Sequence, residues 1–420
     1  MAKSTTALAQ PRAERPRDDG DATASTPPAP TRWVWLAAWP VVAVFVLSNA
    51  ATPLYVLWQR EIGFSKGTLT VIFASYMVGL LASLLVSGVA ADRWGRRPVL
   101  LPAIALALAT CVIYATASSV AALVAARLLT GVAIGAVVSG GMAAVSDVAG
   151  PGRARLAALL ASTGTVLGAG TGPLLAGVLS EALPAPTVTV FVVEAGLLVT
   201  ALLTTLALPL RRPAAPASGA WVRVPRVPRG TGARLALGVA VFAPGLTATS
   251  FVVSLGPSLL ASLLGSTSRV ASGSLAFVAF ASAALAQFAV RGLRRPTILV
   301  AGAVGTTASM VVLVVAVHTL SVPVLVAAAV LAGAGQGMGQ LGGLSLLNSA
   351  VPPRRLAEAN AALNVCGYVP AGALPVAAGY LSDAVGLTAG ATTFGVFLAL
   401  LAATGGVVVL AARRRLAEPA

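Results

Sequence analysis

Within the stretch GVAADRWGRRPVLL, which begins at Gly88, one acid and three arginines (Asp92, Arg93, Arg96 and Arg97) fall inside six residues. A carboxylate among guanidinium groups is suited to making and breaking ion pairs, not to covalent catalysis. Asp147 offers a second carboxylate with which Arg93, Arg96 and Arg97 can pair. Two further charges, Arg127 and Glu194, stand inside long apolar runs, where a charge is costly unless it faces a cavity or a partner. The chain has a single histidine, His318, and its acids lie mostly at termini and loops, so converging acids, bases or metal ligands for an enzyme are missing. Cys111 and Cys366 both fall in apolar runs and read as small packing residues; two cysteines support neither a disulfide framework nor a metal site.

The elements that must position these charges are membrane spans. A mean hydropathy of +0.91, with 57% hydrophobic and 10% charged residues over 420 positions, exceeds what one soluble core buries. Runs long enough to cross about 30 Å of hydrocarbon are expected at 34–57, 69–91, 98–117, 119–147, 155–180, 187–210, 235–262, 270–290, 297–317, 321–350, 357–381 and 387–411. The short turns at 117–119 and 317–321 are where two spans are most easily merged. If the amino terminus is cytoplasmic, 24 of the 28 basic residues fall in cytoplasmic segments; Arg60, Lys66 and Arg269 lie outside and Arg127 within a span. That asymmetry places both termini in the cytoplasm of a multi-pass protein of the inner (plasma) membrane. It also assigns the net charge of +16 to anionic lipid head groups and not to nucleic acid. Residues 1–32, rich in Pro, Ala, Thr and Arg, read as a disordered tail.

The chain is internally repeated. GVLSEAL at Gly177 returns as GYLSDAV at Gly379, an offset of 202 shared by Pro173 and Pro375, and the RRP at 96–98 returns at 294–296. A basic, Pro-rich segment at 211–234 separates six spans (33–210) from six (235–412), with 413–420 as a short tail. The expected fold is an all-α integral membrane protein: twelve transmembrane helices in two pseudo-symmetric six-helix bundles. Such halves can rock about a midplane site and expose it to one side at a time.

From about residue 34 to 411 the chain resembles the major facilitator superfamily of secondary transporters. The resemblance rests on Gly88, Asp92, Arg93, Gly95, Arg96 and Arg97, which match the signature between the second and third helices of that family. The second-half copy keeps Arg291, Arg294 and Arg295 but has Val290 in place of the acid. The resemblance implies a gate made of these residues and Asp147, with Asp92 facing the amino-terminal end of the eleventh span near Leu356–Ala359.

The glycine-rich run of the fifth span, with Gly168, Gly172, Pro173 and Gly177, resembles the motif that accompanies exporters of the drug:proton antiporter branch. Its small residues fit a bend or a tight contact with the eighth span, or packing without directional meaning. Arg127, Gly131 and Gly135 resemble the motif that sets an arginine near the proton path. Arg127 and Glu194 lie at similar depth, about eight and seven residues from the outer surface at 1.5 Å per residue. They are candidates for a pair in which Glu194 carries the coupling proton, or for a permanent ion pair.

Polar and aromatic residues of the cavity-lining spans complete the reading: Asn49, Tyr55, Tyr76, Thr249, Gln336, Gln340, Asn364 and Tyr368. They describe a largely apolar cavity with a few neutral hydrogen-bonding groups. The expected function is export of a small, largely apolar organic compound by a monomer, driven by the proton gradient without a cofactor; uptake of a sugar or other small metabolite is the alternative.

Overall fold

The computed structural model describes residues 30–210, 226–265, 267–352 and 355–416. The amino-terminal tail and most of the linker expected at 211–234 lie outside them. The first crossing is built from two helices, α1 (Thr31–Ala50) and α2 (Tyr55–Ile62), joined by a 3-10 turn at Thr52–Leu54 that carries Pro53. The other crossings follow in order: α3 (Lys66–Trp94), α4 (Arg97–Ala115), α5 (Val120–Ala149), α6 (Ala154–Ala182), α7 (Pro186–Ala207), α8 (Gly232–Leu264), α9 (Arg269–Val290), α10 (Arg295–Thr319), α11 (Val322–Asn348), α12 (Leu356–Val385) and α13 (Leu387–Leu416). Eleven of these crossings are long and apolar enough to span a membrane among the described residues, and the 29-residue α6 makes the twelfth. The turns at 117–119 and 317–321 stay open, so no pair of spans is merged.

Local chemistry sets the boundaries. Ser65, Ser119 and Ser268 precede α3, α5 and α9, and each side chain accepts a hydrogen bond from the backbone N–H three residues on, satisfying one of the orphan donors of the first turn. Gly95 ends α3 at φ 95°, a left-handed angle that disfavours any residue with a Cβ. This turn lets Arg96 fold back onto Asp92.

Each half packs its helices in the same pattern. Gly79 of α3 meets the Leu128 carbonyl of α5, and Gly131 of α5 meets the Tyr76 carbonyl of α3. In the second half, Gly333 and Gly337 of α11 seat on the Ala279 and Ala283 carbonyls of α9. In hydrocarbon, helix association comes from close van der Waals packing and not from hydrophobic exclusion, so a missing side chain at the crossing is what allows contact. Between the two bundles, α6 packs along α9 and α12 along α3. The face that carries the Arg93–Arg97 turn is called below the basic face; the far side is the opposite face.

Candidate functional site

A cavity of about 280 Å³ lies between the bundles. Its first-half wall comes from α1, α3, α5 and α6 and is mainly aromatic and apolar, with Phe45, Phe73, Tyr76, Met77 and Met142 beside Ser48 and Asn49. The second-half wall is richer in amides, with Thr249 of α8, Gln287 of α9, Gln336 and Gln340 of α11, and Asn364 and Tyr368 of α12. Helical spacing explains the convergence on α11 and α12: Gln336 and Gln340, like Asn364 and Tyr368, stand four residues apart and share a face. Seven of the eight expected substrate residues (Asn49, Tyr76, Thr249, Gln336, Gln340, Asn364 and Tyr368) therefore line one space.

Several of these polar groups are already engaged. Asn49 Nδ2 donates to Ser48 Oγ at 3.1 Å, Ser48 Oγ to the Phe45 carbonyl at 2.5 Å, and Thr249 Oγ1 to the Gly245 carbonyl at 3.3 Å. Gln336 Oε1 is buried with no partner among the described residues, leaving an acceptor for a ligand donor.

Tyr55 is the exception. It is buried and packs on Trp58, at 5.7 Å between ring centroids, in an aromatic group that continues through Tyr114 and Phe191. It lies where α2 turns back into the first bundle and does not line the cavity. Gln287 and the phenylalanines at 45, 73 and 280 are lining residues that sequence reasoning missed. A lone glutamine in an apolar run was the available signal for Gln287; nothing in composition separates a cavity phenylalanine from a core one.

Arg127 and Glu194 do not form the expected pair. Arg127 is fully buried, and its Nη1 donates to the Ser48 carbonyl at 2.5 Å. The guanidinium carbon lies 4.9 Å from the Phe73 ring centroid, 5.4 Å from that of Tyr76 and 5.7 Å from that of Tyr55. Three ring faces and a carbonyl thus replace the carboxylate as neighbours of the charge. Its Nε and Nη2 have no hydrogen-bond partner among the described residues. Glu194 is equally buried, yet neither carboxyl oxygen is hydrogen-bonded within them. It lies on α7, which packs against α4. Similar depth was not sufficient: each residue turns a helix by about 100°, so azimuth decides which neighbour is met.

At the basic face the charged turn resolves into two separate jobs. Arg96 bridges two helices, its Nη1 reaching Asp92 Oδ1 at 2.7 Å and its Nε reaching Asp147 Oδ2 at 3.1 Å. Partial burial works against its charge, but the two carboxylates outweigh that and hold the guanidinium above the usual arginine range. Arg97 does not reach Asp147. Its Nη2 donates to the carbonyls of Leu206 at 2.8 Å and Leu208 at 2.7 Å, closing the C-terminal end of α7 where unpaired carbonyls attract a cation. Gly88 sits two turns earlier in α3 and Arg93 in its last turn, both partly buried. Arg291 and Arg294 of the second-half copy are exposed.

The glycine motif of α6 faces two ways. Gly168 packs on Phe45 and Gly172 on the Val46 carbonyl, both in α1, while the Pro173 carbonyl meets Gly273 and Gly177 meets the Arg269 carbonyl, both in α9. The contact expected with the eighth span is thus made by Pro173 and Gly177, and Gly168 and Gly172 bind α6 to its own bundle. The helix runs unbroken through Pro173.

A cavity between two duplicated six-helix bundles, walled by both, defines a secondary-transporter architecture. Residues 34–293 match the family model of the Major Facilitator Superfamily, and the chain belongs to that family. It is a membrane transporter, not an enzyme. Over 98 residues it is 39% identical to the 3-(3-hydroxy-phenyl)propionate transporter of Escherichia coli, a match that spans 23% of this chain and 24% of that protein. In fold it is similar to a bacterial homologue of the human lysosomal transporter Spinster, with a TM-score of 0.72 at 15% identity, covering 93% of this chain and 99% of that one. It is also similar to the nucleoside transporter NupG, with a TM-score of 0.67 at 13% identity and coverage of 90% and 99%. For the human organic anion transporter MFSD10 the TM-score is 0.60 at 20% identity, with coverage of 90% and 98%.

Proposed function

We propose that this protein is a proton-coupled exporter of a small, largely apolar aromatic compound, working by alternating access in the plasma membrane as a monomer with both termini in the cytoplasm. The observation that carries the reading is the cavity lining, in which the rings of Phe45, Phe73, Tyr76, Phe280 and Tyr368 surround neutral amides, most of them (Gln287, Gln336, Gln340 and Asn364) on the second-half side. An aromatic body stacks against Phe45, Phe73 and Tyr76, while hydroxyl or carbonyl groups exchange hydrogen bonds with Gln287, Gln336, Gln340 and Asn364. The amides carry no charge, so a strongly ionic metabolite gains little for its lost hydration.

In this reading the Asp92–Arg96–Asp147 cluster is the gate on the cytoplasmic side. Glu194 is the proton carrier, alone and not as half of a pair with Arg127. Export is supported by the resemblance of Gly168, Gly172, Pro173 and Gly177 to the exporter motif. Inverted membrane vesicles test it: a gradient acid inside should drive accumulation of a fluorescent aromatic probe, and dissipating the gradient should release it.

A second reading, uptake of an aromatic carboxylate, is favoured by the substrate named for the Escherichia coli relative. Accumulation of a hydroxyphenyl-substituted acid in intact cells, with none in inverted vesicles, would decide for it.

A further inference from the structure

At the opposite face two acids tie the bundles together. Glu181, in the last turn of α6, receives through Oε1 the backbone N–H of Arg269 at 2.5 Å, that of Val270 at 3.1 Å and the Ser268 hydroxyl at 3.1 Å. Arg269 answers by donating through Nη2 to the Ser180 carbonyl at 2.7 Å. Asp383, in the last turn of α12, receives the backbone N–H of Lys66 at 3.0 Å and of Gly67 at 2.7 Å, one on each carboxylate oxygen. Each acid thus sits on the amino-terminal end of a helix from the other bundle, α9 for Glu181 and α3 for Asp383, where unpaired N–H groups and the helix dipole favour an anion.

The two contacts are copies. Glu181 and Asp383 are 202 residues apart and are the acids of the repeated GVLSEAL and GYLSDAV segments. One turn deeper, Gly177 meets the Arg269 carbonyl, and Gly379 meets the Lys66 carbonyl and Thr70, so in both copies a missing side chain lets the helices close beneath the acid. Neither acid is needed as an ordinary helix cap, because Ser268 and Ser65 already cap α9 and α3 from within their own chain segments. What the acids add is a bond across the bundle interface, and it breaks whenever the bundles part at this face.

We propose that Glu181 and Asp383 are a symmetric pair of latches that hold the opposite face closed, and that both must release before the cavity opens there. This rests on the alternating-access reading. Because the two latches act at the two long seams, α6 with α9 and α12 with α3, releasing one leaves the other as a hinge. Full opening therefore needs both acids freed, and their effects on the open population multiply.

The test is double electron–electron resonance on the full chain in liposomes, with Cys111→Ala and Cys366→Ser as background. One spin-label pair, at Thr116→Cys and Thr319→Cys, reads the opposite face; a second, at Ser146→Cys and Ser349→Cys, reads the basic face. Glu181→Gln and Asp383→Asn should each raise the ratio of long to short distances at the opposite face by roughly threefold, and the double variant by about tenfold. Glu181→Asp and Asp383→Glu, which keep the charge, should stay nearer the parent than the neutral variants. An opposite-face distribution in the double variant identical to the parent, while the basic-face pair still responds to substrate or pH, overturns the latches alone. Invariance of both pairs under every condition overturns alternating access as well.

Should the neutral variants fail to insert, a short thiol cross-linker between Glu181→Cys and Val270→Cys replaces them. Reversible arrest of turnover supports the latch, and full turnover by fully cross-linked protein overturns it.

Discussion

Among single residues, the charges divide by whether they hold a partner. Arg96 holds two carboxylates at the basic face, both partly exposed, so each bridge is worth no more than about 1 kcal/mol. A contact that weak suits a gate, which must open in every cycle. Asp92→Asn is expected to lower transport turnover several-fold while equilibrium binding of a fluorescent substrate stays unchanged; unaltered turnover would remove the gate assignment. Arg97 acts otherwise, by capping α7, so Arg97→Ala should lower the melting temperature of the detergent-solubilised protein more than it lowers transport per folded molecule. Glu194 has no hydrogen-bond partner among the described residues. Glu194→Gln is nearly isosteric and should abolish pH-driven accumulation while leaving substrate counterflow intact. Retained coupling to the pH gradient would rule out Glu194 as the proton carrier.

Close backbone approach at glycines adds to the packed side chains in holding the helices together, and α6 is a clear case. Its Gly172 lies under the Val46 carbonyl of α1, closer than any added Cβ could sit. Gly172→Ala must push α6 and α1 apart, at a cost of about 1–3 kcal/mol typical of overpacking, and is expected to lower thermal stability in a detergent melt. Gly196 of α7, which has open space where a Cβ would stand, is the matched control, and Gly196→Ala should be neutral or mildly stabilising because alanine favours the helix. Equal effects at the two positions would mean that the close approach at α6 carries no stability.

Over the whole molecule, the proposed function rests on the rings and neutral amides that both bundles bring to one space. Gln336→Ala removes an amide whose oxygen has no partner among the described residues, and Phe73→Ala removes a ring that both lines the cavity and covers Arg127. The first should weaken binding of a hydroxylated aromatic by about 1–2 kcal/mol, near tenfold, and leave a non-hydroxylated analogue almost unaffected. The second should weaken both. Titration of the two ligands against each variant separates hydrogen bonding from stacking; equal losses for both ligands in Gln336→Ala would put the amide outside the recognition surface.

Spans, repeat and charged turn were legible in the chain because each depends on an order along one dimension. A crossing needs about 20 apolar residues in a row, a duplication preserves spacing, and four charges in a short turn between apolar runs need no neighbour to be noticed. Even the cavity residues on α11 and α12 were legible, since residues four apart on one helix must share a face. Contacts between helices were not. Arg127 meets the Ser48 carbonyl and three rings and not Glu194, Tyr55 turns into the first bundle after the 3-10 turn at Pro53, and Arg97 meets the end of α7 in place of Asp147. Hydropathy and spacing determined which segments cross and that they do so twice over; only the packed bundles decided which side chains meet, because the rotation of each helix against its neighbours is not written in the order along the chain.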